Sequence, residues 1–397
     1  PPTRDRWWHA EHDVATLPPA TFPEGDQHPP HQEDREASAS PKAVVPVPRG
    51  EPRAPGATRP YARSRIAETG TTHKDDFPHG TAGTLFPGIQ HSATRRAPRV
   101  GTHVYAAGIV SNTISVVDPA NHTLVAALDA GTNPFGTART PDGAKLYISN
   151  SGANNVSVLD TARGEIVSTV TVGPYPHGLA PSPDGAHLYV ADTGPATGPG
   201  GSRTVSVIDT GSDTVTTTWR TGPAPRCLAT APDGTTLYVT CSDGLHALDT
   251  RDGDTRWTLT GLTETNGVAV HPDGGRVYVV NTLQNTLTVV DTGNHRAGER
   301  IRVGRTPWQV ALSPDGARLY VTGAGDDSVT VIDSLTHRVL ATVRVKHVPT
   351  GITATADTIW VSTNASSTVD AIDAKTLEVT GSTPLGLATS PSGLTVA

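Results

Sequence analysis

The chain has 397 residues, and 31 Lys and Arg against 38 Asp and Glu leave a formal net charge of −7 at pH 7. The charges are mixed, with no basic face and no apolar run long enough to cross a bilayer, so neither a nucleic-acid partner nor a membrane span is expected. Only 5% of the residues are aromatic, while Gly (40) and Pro (34) are plentiful and helix formers are nowhere concentrated, which points to a turn-rich all-β protein. The sequence begins Pro1-Pro2 and contains no Met. It reads as a mature or trimmed form, so the missing leader does not argue against export.

Residues 1–99 are a distinct material that holds 16 of the 34 prolines. Stretches such as Pro46-Val47-Pro48-Arg49-Gly50 favour extended, solvated backbone. The isolated apolar points, Trp7-Trp8, Phe22, Phe77 and Leu85-Phe86, are too few to offset the entropy of ordering. The region is expected to be irregular: either a linker or an arm that docks on the following domain or on a partner. His9-Ala10-Glu11-His12 spaces two imidazoles three apart. The flanking tryptophans and prolines oppose a helix there, and no third ligand follows, so no metal is expected.

From His103 the sequence becomes periodic. An aromatic recurs at Tyr105, Tyr147, Tyr189, Tyr238, Tyr278, Tyr320 and Trp360, in steps of 42, 42, 49, 40, 42 and 40. Each unit has the same grammar, clearest in Leu179-Ala180, Pro183-Asp184-Gly185, Leu188-Tyr189-Val190 and Thr204-Val205-Ser206-Val207-Ile208-Asp209. A short strand A, a tight turn, an aromatic strand B, a β-branched strand C ending in Asp and an alternating strand D describe one propeller blade. The strand C aspartates Asp118, Asp160, Asp209, Asp249, Asp291, Asp333 and Asp373 count seven units. They are read as turn caps that accept backbone N–H groups, not as a catalytic set.

Residues 100–397 are therefore expected to form a seven-bladed all-β propeller of four-stranded antiparallel blades. The chain enters at a strand B, Val104-Tyr105-Ala106. Leu387-Ala388 is read as the last strand A and Pro391-Ser392-Gly393 as its turn, so that both ends of the domain complete one blade and remove an exposed sheet edge. Leu394–Ala397 then competes for the strand B place or forms a short outer strand. Cys227 and Cys241 flank the Pro232-Asp233-Gly234 turn. Folding about Gly234 opposes them, giving either a cross-strand disulfide or two buried thiols.

The pairing of Leu-Tyr-Val strands (Leu188-Tyr189-Val190-Ala191-Asp192, Leu319-Tyr320-Val321-Thr322-Gly323) with Val-x-Val-Ile-Asp resembles the YVTN-type β-propeller repeat. The resemblance implies likeness to archaeal surface-layer proteins and to exported bacterial YncE-like proteins. It implies an extracellular, cell-surface or periplasmic location. Similar blades occur in lactonases, amine dehydrogenase heavy chains and streptogramin lyase, but no catalytic set of theirs maps onto residues here.

In a propeller the D–A and B–C loops share one face around the channel mouth. The residue ahead of each strand A gives the ring Phe135, His177, Arg226, Asn266, Trp308, Thr350 and Leu385. A purely structural position would repeat one residue type. Convergent unlike groups in a concave mouth instead suggest a ligand site, with Phe135 and Trp308 stacking a ring or sugar face, Arg226 pairing an anion and His177 donating or accepting a proton. His177 and Arg226 are the catalytic candidates if the protein is an enzyme. The one long insertion, Gly194–Ser202, falls in the B–C loop of the His177 blade as a possible flap. No nucleotide or nucleophile motif has strand-and-helix context, so no cofactor is expected. The expected function is an exported binding scaffold for a protein, glycan or small ligand. The alternative is an enzyme of lactonase, lyase or dehydrogenase-subunit type, and a structural surface protein is a third reading.

Overall fold

Each strand B is apolar on both faces, which in a sheet protein demands a neighbour on each side. In blade II, Leu188 and Val190 face the cluster shared with Tyr147, Val156 and Val158, while Tyr189 and Ala191 face Leu237, Val239 and Leu248 on the other side. The computed structural model, which describes residues 102–194 and 201–396, satisfies that demand by radial repetition. Its 28 strands form seven antiparallel sheets of four. Blades I to VI span 134–171, 176–220, 228–260, 265–302, 307–344 and 349–384. Blade VII joins Pro391–Val396 to the strands of 104–129. Seven apolar clusters fill the seven joints between neighbouring blades. The described residues contain no helix, and none is therefore long and apolar enough to cross a membrane.

The strand C aspartates cap turns as expected. Asp118 accepts the Ala120 N–H at 2.8 Å, Asp209 that of Ser212 at 2.8 Å, and Asp373 that of Thr376 at 2.7 Å. The Asn121 side chain, which donates to Asp118 at 2.8 Å, together with these backbone hydrogen bonds favours the charged form and holds the three carboxyls below their usual range.

Three expectations are corrected. The closing strand A is Pro391–Val396, which pairs with Val104–Gly108, and not Leu387-Ala388. Leu387 is fully exposed, and Leu385 is buried between blades VI and VII rather than at the mouth. Of the two readings left open for the cysteines, the structure has free thiols, and the expected opposition of Cys227 and Cys241 is what is corrected. The blade III turn is closed by Ala231 and Thr236, so the hairpin axis falls between Asp233 and Gly234. Leu228 then pairs with Val239, and Thr240, not Cys241, lies opposite Cys227. A one-residue shift puts the two sulfurs on opposite faces of the sheet.

The A strands are innermost and crowd at one level. The third residue after the loop is Gly136, Gly178, Gly267, Gly351 or Gly393 in five blades, and Cys227 or Gln309 in the others. A Cβ on Gly178 would come 2.5 Å from the Arg226 carbonyl oxygen, and one on Gly351 would overlap the Ser392 carbonyl oxygen. Gly351→Ala is expected to cost about 2–3 kcal/mol by overpacking against backbone that cannot yield. Thermal unfolding checks this, with exposed Gly211→Ala, which meets only its own turn, expected to change stability by less than ~0.5 kcal/mol.

Candidate functional site at the channel mouth

Strand A runs away from the mouth and strand B runs back, so the D–A and B–C connections lie together on one face. Each D–A loop has a left-handed residue at the same place: Asn133, Tyr175, Ala224, Glu264, Thr306, Val348 and Ser390, with φ between 47° and 58°. A β-branched residue there is strained. Because all seven blades adopt this conformation, it belongs to the architecture, and only Thr306 and Val348 carry the strain. In four joints the left-handed residue's N–H is held by an Asn or Asp side chain of the preceding blade: Asn112 to Asn133, Asn154 to Tyr175, Asn285 to Thr306 and Asp327 to Val348, at 2.8–3.0 Å.

The chain then turns inward, and the residue two places later forms the ring. It comprises Phe135, His177, Arg226, Asn266, Trp308, Thr350 and Ser392, so the seventh member is Ser392 where the sequence suggested Leu385. The ring backbone is pinned by strand B hydroxyls from the preceding blade. Ser149 donates to the His177 carbonyl at 2.6 Å, Thr240 to Asn266 at 2.7 Å, Thr322 to Thr350 at 3.1 Å and Ser362 to Ser392 at 2.7 Å. The same hydroxyls accept the N–H of Gly136, Cys227, Gln309 and Gly351 in their own blades. A repeated backbone is thus held rigidly while its side chains vary, which is what a positioned site requires.

The side chains engage one another across blades. Phe135 and His177 stack with centroids 4.1 Å apart and planes 7° apart, and Tyr175 leans on His177 at 5.3 Å. Arg226 is paired with Glu264 of the next loop at 3.0 Å. Thr350 donates to the Pro391 carbonyl at 3.0 Å. Asn266 is buried, and its Nδ2 donor has no acceptor among the described residues. An axial cavity of about 130 Å³ is lined by Phe135, Trp308 and Thr350 together with Gly178, Cys227 and Gln309. His177 and Arg226 precede Gly178 and Cys227 and are not part of that lining. Burial pushes the Cys227 thiol up to about 11, so it stays protonated at neutral pH.

The base of the long blade II loop is on this face. Thr193 donates to the Pro225 carbonyl at 2.5 Å, and the Ala224 N–H donates to the Ser202 carbonyl at 2.8 Å. Residues 195–200 of the flap and the whole 1–99 region, with the His9/His12 pair, lie outside the described residues.

One cluster escaped the sequence reading. Cys241, Asp243 and His246, at the B–C turn of blade III, place their ligand-type atoms within 4.8 Å of one another. Their spacing, Cys-x-Asp-x-x-His, was the available signal.

Comparison with known proteins agrees with this architecture. Residues 257–383 match the family model of the YNCE-like beta-propeller. Over those residues, about a third of the chain, the propeller is similar to that family. Residues 111–261 of the same propeller match the model described as outer membrane protein assembly factor BamB. No curated protein sequence matches the chain. Among solved structures, the propeller is similar to a chain of Kuenenia stuttgartiensis hydrazine synthase, with 20% identity, a TM-score of 0.62 and coverage of 74% of this chain and 99% of that one. It is similar to a functionally unknown protein from Desulfotomaculum acetoxidans, with 14% identity, a TM-score of 0.64 and coverage of 74% and 98%. It is also similar to dihydro-heme d1 dehydrogenase NirN in complex with DHE, with 15% identity, a TM-score of 0.56 and coverage of 75% and 66%. At these identities the likeness concerns the fold alone.

Proposed function

We propose that the chain is an exported binding scaffold whose D–A and B–C face recognises a protein surface. The supporting observation is the ring itself: unlike side chains on a sevenfold-repeated backbone that strand B hydroxyls pin at four of its seven positions. The axial cavity, about 130 Å³, is smaller than the ~300 Å³ or more of ordinary small-ligand pockets, so a partner would rest on the mouth. The same face exposes Val110, Leu283 and Leu387 around the aromatic centre. Aromatic anchors ringed by apolar and polar loops suit a protein partner better than a small molecule. Export rests on the YVTN-type resemblance alone.

The competing reading is an enzyme with His177 and Arg226 at its centre. Arg226 is engaged by Glu264 and His177 lies flat on Phe135, which favours binding over proton transfer.

The test is a displayed peptide library and a glycan array probed with the full chain. The expected hits are peptides, and Trp308→Ala and Leu387→Ser each lower their affinity at least about tenfold. Leu335→Ser, at an exposed residue of a C–D turn on the opposite face, leaves it unchanged. Glycan hits alone would replace the protein partner with a sugar, and no hit, or hits indifferent to both mouth variants, would overturn the reading.

A further inference from the structure

Blade III differs from blades I, II and IV at three places that meet in space. In blades I, II and IV, strand B ends in Asn150, Asp192 or Asn281. Each is hydrogen bonded to a strand C hydroxyl: Ser157 at 2.9 Å, Ser206 at 2.9 Å and Thr288 at 2.7 Å. In blade III the two places are taken by Cys241 and His246. An amide or carboxylate paired with a hydroxyl, suited to hydrogen bonding, is replaced by a thiol and an imidazole, suited to a metal. The B–C turn is also shortened, with Cys241 paired directly to Gly244, and this delivers Asp243 to the same point.

The geometry is that of a three-ligand centre. Sγ of Cys241, an Asp243 carboxylate oxygen and an imidazole nitrogen of His246 all lie within 4.8 Å of one another, and His246 Nε2 is 2.9 Å from Asp243 Oδ1. Bonds of about 2.0–2.3 Å to one tetrahedral ion separate such ligands by roughly 3.2–3.8 Å, within reach of small side-chain rotations. Thr258 Oγ1 stands 3.4 Å from His246 Nδ1, so the ring presents Nε2 to the cluster. Orientation of a ligating imidazole through its second nitrogen is the usual support for a metal ligand. Cys241 and His246 are buried, whereas Asp243 is exposed, which leaves an approach from solvent.

We propose that Cys241, Asp243 and His246 bind a thiophilic divalent transition-metal ion, zinc(II) foremost, with a fourth position open to water or to a partner's ligand. One thiolate, one imidazole and one carboxylate match zinc or cobalt and not calcium or magnesium, which take oxygen ligands. Binding replaces the Cys241 S–H proton with the metal and releases that proton to solvent, so affinity rises with pH.

The test titrates the full chain with cobalt(II), a spectroscopic stand-in for zinc. Residues 1–99 hold seven of the 16 histidines and no cysteine, so adventitious sites there give no sulfur signal. The expected result is a thiolate-to-cobalt charge-transfer band that saturates at about one equivalent and is bleached by zinc. The band persists in Cys227→Ser and disappears in Cys241→Ser. Asp243→Asn, an exposed change that leaves the fold intact, weakens cobalt binding at least about tenfold. No thiolate band in the unmodified chain overturns the proposal. So does a band that survives Cys241→Ser, or one indifferent to Asp243→Asn.

Discussion

A chain shortened after Ser390 does not fold cooperatively. Pro391–Val396 pairs with the strand Val104–Gly108, matching Val104 to Val396, Tyr105 to Thr395 and Ala106 to Leu394. The same strand contacts both neighbouring blades. Ser362 and Thr350 of blade VI donate to Ser392 and Pro391, and Thr137 of blade I meets Thr395 at 2.8 Å. Leu394 adds to the cluster between blades VI and VII. Removing seven residues therefore opens two joints and bares a sheet edge, which invites pairing with other chains. The loss is expected to be comparable to the whole stability of a typical domain, about 5–15 kcal/mol. Thermal melting and size-exclusion chromatography check it. A shortened chain that stays monomeric and melts within a few degrees of the full one would contradict the closure.

Asp192→Asn stabilises the protein at pH 8. Asp192 is fully buried; its Oδ2 accepts from Thr204 and Ser206 at 2.9 Å each, while its Oδ1 has no partner. Burial pushes its carboxyl up to about 6, and the two hydroxyl hydrogen bonds only partly offset this. The unfolded value is about 3.9. The folded pKa lies above the unfolded one, so this group's contribution is fully present below about pH 4 and is lost as pH rises through about 6. Two units correspond to about 3 kcal/mol, carried as a penalty at pH 8. Asparagine avoids it, as Asn150 and Asn281 do at the same place in blades I and IV. The variant should gain roughly 1–3 kcal/mol at pH 8 and little at pH 4. Denaturant unfolding across that range checks it, and a variant less stable than the parent at pH 8 would contradict it. The turn aspartates Asp118, Asp209, Asp333 and Asp373 act in the opposite sense. Their lowered values contribute stability above about pH 4 that fades as the pH falls.

The architecture was legible because its signals are local and repeated. The Pro-Asp-Gly turns, the strand B aromatics and the strand C aspartates each recur at nearly constant spacing; the turns mark five units, and the aromatics and the aspartates each count all seven. Errors arose where one motif has two meanings. Pro391-Ser392-Gly393 resembles the A–B turn, yet Pro134-Phe135-Gly136, Pro176-His177-Gly178 and Pro349-Thr350-Gly351 open strand A with the same frame. That frame carries the true seventh ring residue. The cysteine register failed by one residue because a hairpin axis can fall between residues as well as on one.

The mouth was legible as a set of positions but not as a set of contacts. His177 meets Phe135 of the preceding blade, and Arg226 meets Glu264 of the following loop. Contacts between blades depend on the packing of the joints, which a single blade's sequence does not contain. The Cys241, Asp243 and His246 cluster was hidden for a related reason. Its members are remarkable only beside the Asn–Ser and Asn–Thr pairs they replace, and the shortened turn that adds Asp243 shows in the structure.

Hydrogen–deuterium exchange on the full chain, with and without the strongest peptide from the library, tests most directly whether the mouth is the working face. Slowed exchange is predicted in the D–A loops around 130–136, 172–178, 221–227 and 303–309, with the C–D turns unchanged. Protection confined to the C–D turns, on the face away from the ring, would contradict it.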